Sequence, residues 1–343
     1  MTDKKLMHMS ISSALTVGIA TDEAQDDAEG GAESEVRQVS APLHSHGERL
    51  DRTLAEVAPE FSRSYLQQLI VAGSVQQNGA VQVKSSVRVK AGDVLTIELK
   101  PTPQSLAFKP EPMHLDVVFE DEFLLVINKP AGLVVHPAPG NWSGTLLNGL
   151  LARDARFSLL PRAGIVHRLD KYTSGLMVVA RQRQTMDRLV EMIAARSVNR
   201  QYIGLAHGAW RGAKTQHVDF PIGRDPKNRL RMAVVDLQKT PGKLAATDIT
   251  LLESGTQYCL VQCKLHTGRT HQIRVHMNAL GHPLVSDVLY GGPIAGGLER
   301  QALHACRLAF QHPVTGRAMS FSASMPRDIS TAVANVGLGY NAA

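Results

Sequence analysis

The stretch Gly164-Ile165-Val166-His167-Arg168-Leu169-Asp170-Lys171-Tyr172-Thr173-Ser174-Gly175-Leu176-Met177-Val178-Val179-Ala180 concentrates both fold and chemistry. Its last five residues are a continuous apolar run, the pattern of a strand covered on both faces. Thr173-Ser174-Gly175 is the turn that enters this strand. Arg168 and Asp170 are two apart, so in an extended approach their side chains share one side. Taken alone, these residues describe an aspartate that caps the turn and pairs with a nearby arginine.

Working outward, Val117-Val118-Phe119 and Phe123-Leu124-Leu125-Val126-Ile127 read as strand, turn, strand, and Leu133-Val134-Val135 as a further strand after Asn128-Lys129-Pro130-Ala131-Gly132. A helix is expected from Thr145 through Ala152, and Met186, Leu189, Val190 and Ile193 sit at helical spacing. Tyr258 to Leu265 is strand-like. Strands and helices mix without a repeating βαβ unit. The expected class is therefore α+β, with a central, mainly antiparallel mixed sheet flanked by helices.

Upstream lies a smaller unit. Leu50 and Leu54 share a helical face, and Ser62 can cap a second helix with Tyr65, Leu66, Leu69 and Ile70 as its stripe, ended by Gly73. Ser74–Gln77 and Val81–Val83 read as strands joined by Asn78-Gly79, a tight-hairpin signal. Val87, Val89 and Val94-Leu95 with Ile97 look like further strand pieces. Two helices and a small antiparallel sheet make a domain of residues 47–100. Lys100-Pro101-Thr102-Pro103 and Lys109-Pro110-Glu111-Pro112 mark a stiff linker, 101–113. The expected organisation is an acidic disordered tail (1–46), the small domain, the linker, a large domain (114–330) and a flexible C-terminal tail (331–343).

Charge sharpens this division. The chain has 343 residues and a formal charge of +6. Residues 1–40 hold three basic and eight acidic side chains, net −5, and the rest carry 34 basic and 23 acidic, net +11. A basic body suits a polyanionic partner. An apolar fraction of 43% excludes a wholly disordered chain, and three cysteines are too few for a disulfide framework. Those thiols point to a reducing, cytoplasmic setting. The short stretch Ala14–Ala20 after Lys4-Lys5 is a poor export signal, and no apolar run reaches a membrane span of about 18 residues. No phosphate loop or Gly-x-Gly-x-x-Gly motif occurs. Cys259 and Cys263, four apart in a strand, lie roughly 13 Å apart, too far to share one zinc. Neither cofactor nor metal is expected, and the 14 histidines read as mostly structural or surface groups.

Two resemblances add specificity. Arg49-Leu50-Asp51, Ser62-Arg63, Gly73-Ser74-Val75, Asn78-Gly79, Lys84-Ser85-Ser86 and Val89-Lys90-Ala91-Gly92-Asp93 resemble the RNA-binding domain named after ribosomal protein S-four. That resemblance makes Arg49, Arg63, Lys84 and Lys90 candidate phosphate contacts, which would bind RNA in a salt-dependent way. His167-Arg168-Leu169-Asp170 with Thr173-Ser174-Gly175 resembles the signature of the pseudouridine synthases of the large-subunit ribosomal RNA type. Asn128-Lys129-Pro130-Ala131-Gly132, Val135-His136-Pro137, Arg200-Gln201-Tyr202 with Leu205, the run Leu265 to His276, and Gly281-His282-Pro283-Leu284 match in the same order. Tyr172 and Ser286 depart from the family's commoner residues, which bears on substrate range.

The family reaction breaks the N1–C1′ bond of uridine, turns the base over and joins C5 to C1′. No group enters or leaves, so no cofactor is implied. It needs an ionised carboxylate, as nucleophile at C1′ or base at C2′. The resemblance gives this role to Asp170, with Arg269 as the facing guanidinium that favours the charged form. It makes Tyr202 the aromatic face for the uracil and a candidate acceptor of the C5 proton, Leu284 an apolar pocket wall, and Arg168 the side chain that fills the stack when the base is flipped out. Lys171 and Arg274 are candidate phosphate ligands. The implied partner is large-subunit ribosomal RNA or its precursor particle, at the subunit-interface stem-loop, met by a monomer. Two other readings are a non-enzymatic RNA-binding assembly factor and an RNA methyltransferase with the same small domain.

Overall fold

A computed structural model describes residues 35–99, 107–228 and 230–339. They fall into two compact units, one within Met1–Pro101 and one within Thr102–Ala343. The acidic segment before residue 35 and the first proline pair of the linker lie outside the described residues.

The first unit holds a four-stranded sheet and two helices. Its strands are β1 (Glu35–Ser40), β2 (Val75–Gln77), β3 (Ala80–Gln82) and β4 (Val94–Leu99), in the antiparallel order β1-β4-β2-β3. Helix α1 spans Leu50–Val57 and α2 spans Arg63–Val71. Ser62 caps α2 by accepting from the Tyr65 amide at 3.3 Å. Asn78 and Gly79 both take positive φ, 52° and 80°, as a tight two-residue hairpin demands. Leu50, Leu54, Leu66, Ile70, Val75, Leu95 and Ile97 are fully buried between the helices and the sheet. β1 corrects the expected start of order at residue 47. Its charged composition suggested a solvated tail, but Val39 packs on the core and all six residues pair with β4. Val87 and Val89 are not in a strand; Val89 is buried from a loop.

The second unit is built on one long sheet. Its strands are β5 (Val117–Glu120), β6 (Leu124–Lys129), β7 (Ser174–Ala180), β8 (Asn199–His207), β9 (Thr215–Val218), β13 (Thr247–Ser254), β14 (Tyr258–Leu265), β15 (Leu303–Gln311) and β16 (Ala318–Ser322). The order is β5-β6-β7-β15-β8-β14-β13-β9, with β16 beside β15. Every pairing is antiparallel except β7 with β15. A separate small sheet joins β10 (Ile222–Arg224), β11 (Met232–Val234) and β12 (Gly242–Lys243). Helices α3 (Leu146–Arg153), α4 (Arg183–Ala194), α5 (Gln272–Ala279) and α6 (Arg327–Asn335) complete the mixed architecture. Thr145 and Asn148 form a reciprocal cap at the start of α3.

β7 is buried along its whole length, as its unbroken apolar sequence requires. Cys259 and Cys263 are buried in β14 as core residues. Leu133–Val135 is not a strand but a loop whose Leu133 carbonyl accepts from Lys129. α6 continues past residue 330, where a flexible tail was expected, because Ile329, Ala332 and Val333 bury against β8 and β14 side chains.

Candidate active site

The loop that enters β7 forms one wall of a cleft of about 880 Å³ in the second unit. His167 fixes the loop's near end: its Nε2 accepts the Val178 amide of β7 at 3.1 Å, so the ring is neutral. Burial and the charge of Arg200 pull its pKa down to about 3. The far end is held from below. Lys129, 1% exposed at the end of β6, donates to the carbonyls of Pro130, Leu133 and Lys171 at 2.8, 2.9 and 3.1 Å. Burial brings its pKa down to about 7, but three acceptors demand three N–H donors, so the ammonium form fits this cradle. Arg300 adds a bond to the Tyr172 carbonyl at 2.9 Å. Between these anchors Asp170 and Arg168 both face the cleft, as their spacing of two requires.

The opposite wall is the run from Leu265 to Arg274. His271 adopts a left-handed conformation, φ 56°, and starts α5. The helix then turns Arg274 inward. Its Nη1 donates to Asp170 Oδ2 at 3.2 Å, while Nε and Nη2 each reach an oxygen of the buried Asp287 at 2.7 Å. The guanidinium also lies over the Tyr290 ring, 4.8 Å from its centroid. His271 contributes Nε2 at 3.9 Å from Asp170 Oδ1, and its Nδ1 meets the Tyr290 hydroxyl at 2.8 Å. Burial lowers the His271 pKa. Asp170 is thus held by one buried guanidinium that a second carboxylate fixes in place.

Tyr202 of β8 closes the cleft floor. It is 5% exposed, and burial pushes its phenol up to about 12. It therefore rests protonated at neutral pH, an aromatic face carrying an O–H donor. Ile165, Leu169, Leu265, Ile273 and Leu303 supply apolar surface. Arg162, Arg196 and Arg269 make the rim positive, and the buried Arg200 adds a charge within the cleft.

The sequence pattern of the RNA pseudouridylate synthase family matches residues 123–279, from β6 to α5, which include Asp170, Tyr202 and Arg274. A protein of Neisseria meningitidis serogroup B, "Ribosomal large subunit pseudouridine synthase D", is 45% identical over 89% of this chain and 83% of its own length. The chain belongs to the RNA pseudouridylate synthase family. A protein of the same description from Xylella fastidiosa is 46% identical over 85% of the chain and 90% of its own length. In fold, the human RNA pseudouridylate synthase domain containing 4 superposes with a TM-score of 0.51 at 23% identity, covering 66% of this chain and 94% of that one.

Against this family's pattern, the structure rearranges several expected contacts. Asp170, Tyr202 and Arg168 meet in the cleft. Arg269 does not face Asp170; its Nε donates to the Leu244 carbonyl at 3.0 Å. The facing arginine is Arg274, which is therefore not a free phosphate ligand. The reason is local: the left-handed turn at His271 swings Arg269 outward and sends the next helical turn in. Leu284 is fully buried beneath Gly204 of β8 and does not line the cleft. Lys171 is exposed outside it, within 5.4 Å of the Tyr172 ring centroid and 3.4 Å of Asn141 Oδ1. Arg168 is exposed and donates to the Thr270 hydroxyl.

Sequence reasoning missed Asp287, the small stretch between Ser286 and Tyr290 that carries it, and Arg200. Arg200 is 6% exposed, and its buried Nε–H finds no acceptor among the described residues. Its position two residues before Tyr202 on one strand was the available signal, since both then face the same side.

In the first unit, Arg49 and Arg63 converge on Asp51, whose side chain is fully buried, at 3.0 and 2.8 Å, and Gln67 adds a bond at 2.6 Å. Burial would raise the Asp51 carboxyl, but bonds from Arg49, Gln67 and Arg63 outweigh it and hold it far below the usual range. Both arginines keep roughly half of their side chains exposed. Lys84 and Lys90 are exposed on the same unit.

Proposed function

We propose that this chain isomerises uridines of large-subunit ribosomal RNA to pseudouridine. The observation that carries the reading is Asp170, held by Arg274 in a positively rimmed cleft with Tyr202 on its floor. The relatives' descriptions support ribosomal RNA as the substrate class.

The target base is flipped out and enters against the Tyr202 ring. Arg168, exposed at the rim, fills the vacated stack. The Asp170 carboxylate acts at the ribose while the N1–C1′ bond breaks; the base rotates, the C5–C1′ bond forms, the C5 proton passes to water and N1 takes one up, with the protonated Tyr202 phenol not serving as the acceptor that the sequence suggested. Arg274 orients the carboxylate through Nη1, and the Asp287 bonds keep that guanidinium from rotating away. Arg200, buried beside Tyr202 without an acceptor on Nε, offers N–H donors to an oxygen of the bound nucleotide. The first unit contributes affinity through Arg49, Arg63, Lys84 and Lys90, with Asp51 setting the spacing of the two arginines. No cofactor takes part, and a single chain in the cytoplasm suffices.

Tritium release from ribosomal RNA labelled at uridine C5 tests this, with wild type beside Asp170→Asn. Release by wild type alone is expected, after which sites would be mapped from the subunit-interface stem-loop outward. Equal release by both refutes the role of Asp170. No release from either protein, on naked RNA and on subunits alike, favours an RNA-binding assembly factor.

A further inference from the structure

A second cluster of side chains gathers at the β9 edge of the long sheet, and the uridine chemistry leaves it unused. His217 of β9 and Asp248 of β13 are directly opposite in the strand pairing. His266 follows the last residue of β14. The His217 Nδ1 lies 2.6 Å from one oxygen of Asp248, and the His266 Nε2 lies 2.6 Å from the other. All three groups present ligand atoms within 4.8 Å of one another. The two rings are 5.8 Å apart between centroids.

Two imidazole nitrogens and a carboxylate within 4.8 Å of one another are the donors that borderline divalent ions select. A tetrahedral zinc with bonds of about 2.0–2.1 Å separates its ligand atoms by about 3.4 Å. That value falls between the distances of the hydrogen-bonded pairs and the outer span of the cluster. Seating an ion therefore needs only a small opening of two side chains and the loss of the two protons that now bridge them. The side chains of His217, Asp248 and His266 are 58%, 29% and 27% exposed, so an ion can enter and water can complete its shell. The ligands lie 31 and 18 residues apart, on three different strands or their ends, which is why no sequence spacing marks them.

We propose that His217, Asp248 and His266 form a binding site for a divalent transition ion of the zinc type, with water as fourth ligand. His266 also borders the catalytic cleft and heads the run that carries Arg269, His271 and Arg274. An ion there ties the start of that run to β9 and β13, independently of which RNA the cleft accepts.

The test uses the full chain, stripped with a chelator and titrated with zinc chloride, then with cobalt chloride for its visible spectrum. Wild type is expected to take up one more zinc than His217→Ala, to bind it at least 100-fold more tightly, and to show the intense absorption of four-coordinate cobalt. Asp248→Asn should lose the same site while keeping the side chain's shape. Equal zinc uptake by wild type and His217→Ala, or a wild type that gives no four-coordinate cobalt spectrum, overturns the proposal.

Discussion

Asp287→Asn is the sharpest probe of the cleft, because Asp287 touches Arg274 and leaves Asp170 itself intact. The wild-type carboxylate holds the guanidinium through two bonds of 2.7 Å, and its side chain is only 1% exposed. Asparagine keeps one acceptor and loses the charge. Breaking a buried ion pair costs about 3–5 kcal/mol, and the retained hydrogen bond offsets about 1 kcal/mol, leaving a loss of about 2–4 kcal/mol. For a unit of this size each kcal/mol is worth about 2–4 °C, so Tm should fall by about 5–15 °C. Arg274 keeps its stack on Tyr290 and its bond to Asp170, so the protein should still fold at 25 °C. Freed on one side, the guanidinium can pivot and carry the Asp170 carboxylate with it. A misplacement worth about 1.4–2.8 kcal/mol in the transition state lowers kcat about 10–100-fold, with KM for RNA little changed. Calorimetry and tritium release on the same preparation read both numbers. A variant within 1 °C of wild type and within twofold in kcat would refute the claim that Asp287 positions the catalytic pair.

Arg269→Ala should leave Tm nearly unchanged and weaken RNA binding several-fold, whereas Arg274→Ala should abolish tritium release; equal loss of turnover in both would restore Arg269 to the catalytic pair. Gly175→Ala should destabilise the second unit by about 3 kcal/mol or more, seen as a lowered urea midpoint, because the new Cβ would meet the Ala305 carbonyl oxygen at 2.3 Å on a backbone with φ 115°. Asp51 contributes to the acid stability of the first unit, beside Asp93, whose carboxyl is also held low by bonds from the Lys90 amide and Asn78. The folded pKa of Asp51 lies below the unfolded value of about 3.9, so its contribution is complete at neutral pH and is lost as pH falls through and below about 4. Asp51→Asn should flatten that acid limb in a circular-dichroism titration while lowering stability at pH 7; an unchanged pH profile would contradict the assignment.

Much of this architecture was legible because it depends on local signals. The buried run of β7, the Asn78-Gly79 hairpin, the Ser62 cap and the α+β class each follow from a few adjacent residues. The Arg168–Asp170 spacing also survives, since an extended loop enforces it. What was not legible depends on where a helix begins. Arg269 and Arg274 are both cations in one motif, and only the left-handed residue at His271 decides which of them turns inward. The ordinary expectation that a charged helical residue faces water fails at α5, where every residue from Gln272 to Met277 is buried. β1 escaped notice because composition outweighed alternation: Val36 and Val39 sit among charged and polar neighbours, and the partner strand lies more than fifty residues away. Asp287 gave no signal, since its partner belongs to another element.

The one parallel joint in the long sheet has a consequence for how the chain is made. β7 finds β6 early, but its other edge pairs with β15, where Ser174 meets His304 across 130 residues of sequence. At a synthesis rate of about 5–20 residues per second, that edge waits about 7–26 s for its partner. During this interval Ser174 and Gly175, at the start of β7, lack their β15 partners, while Val178 and Val179 farther along are met by His167 and Ile165 of the preceding loop. The loop bearing Asp170 leads directly into that strand, so the catalytic wall is completed late, and any fragment ending before residue 303 would carry the motif without its support.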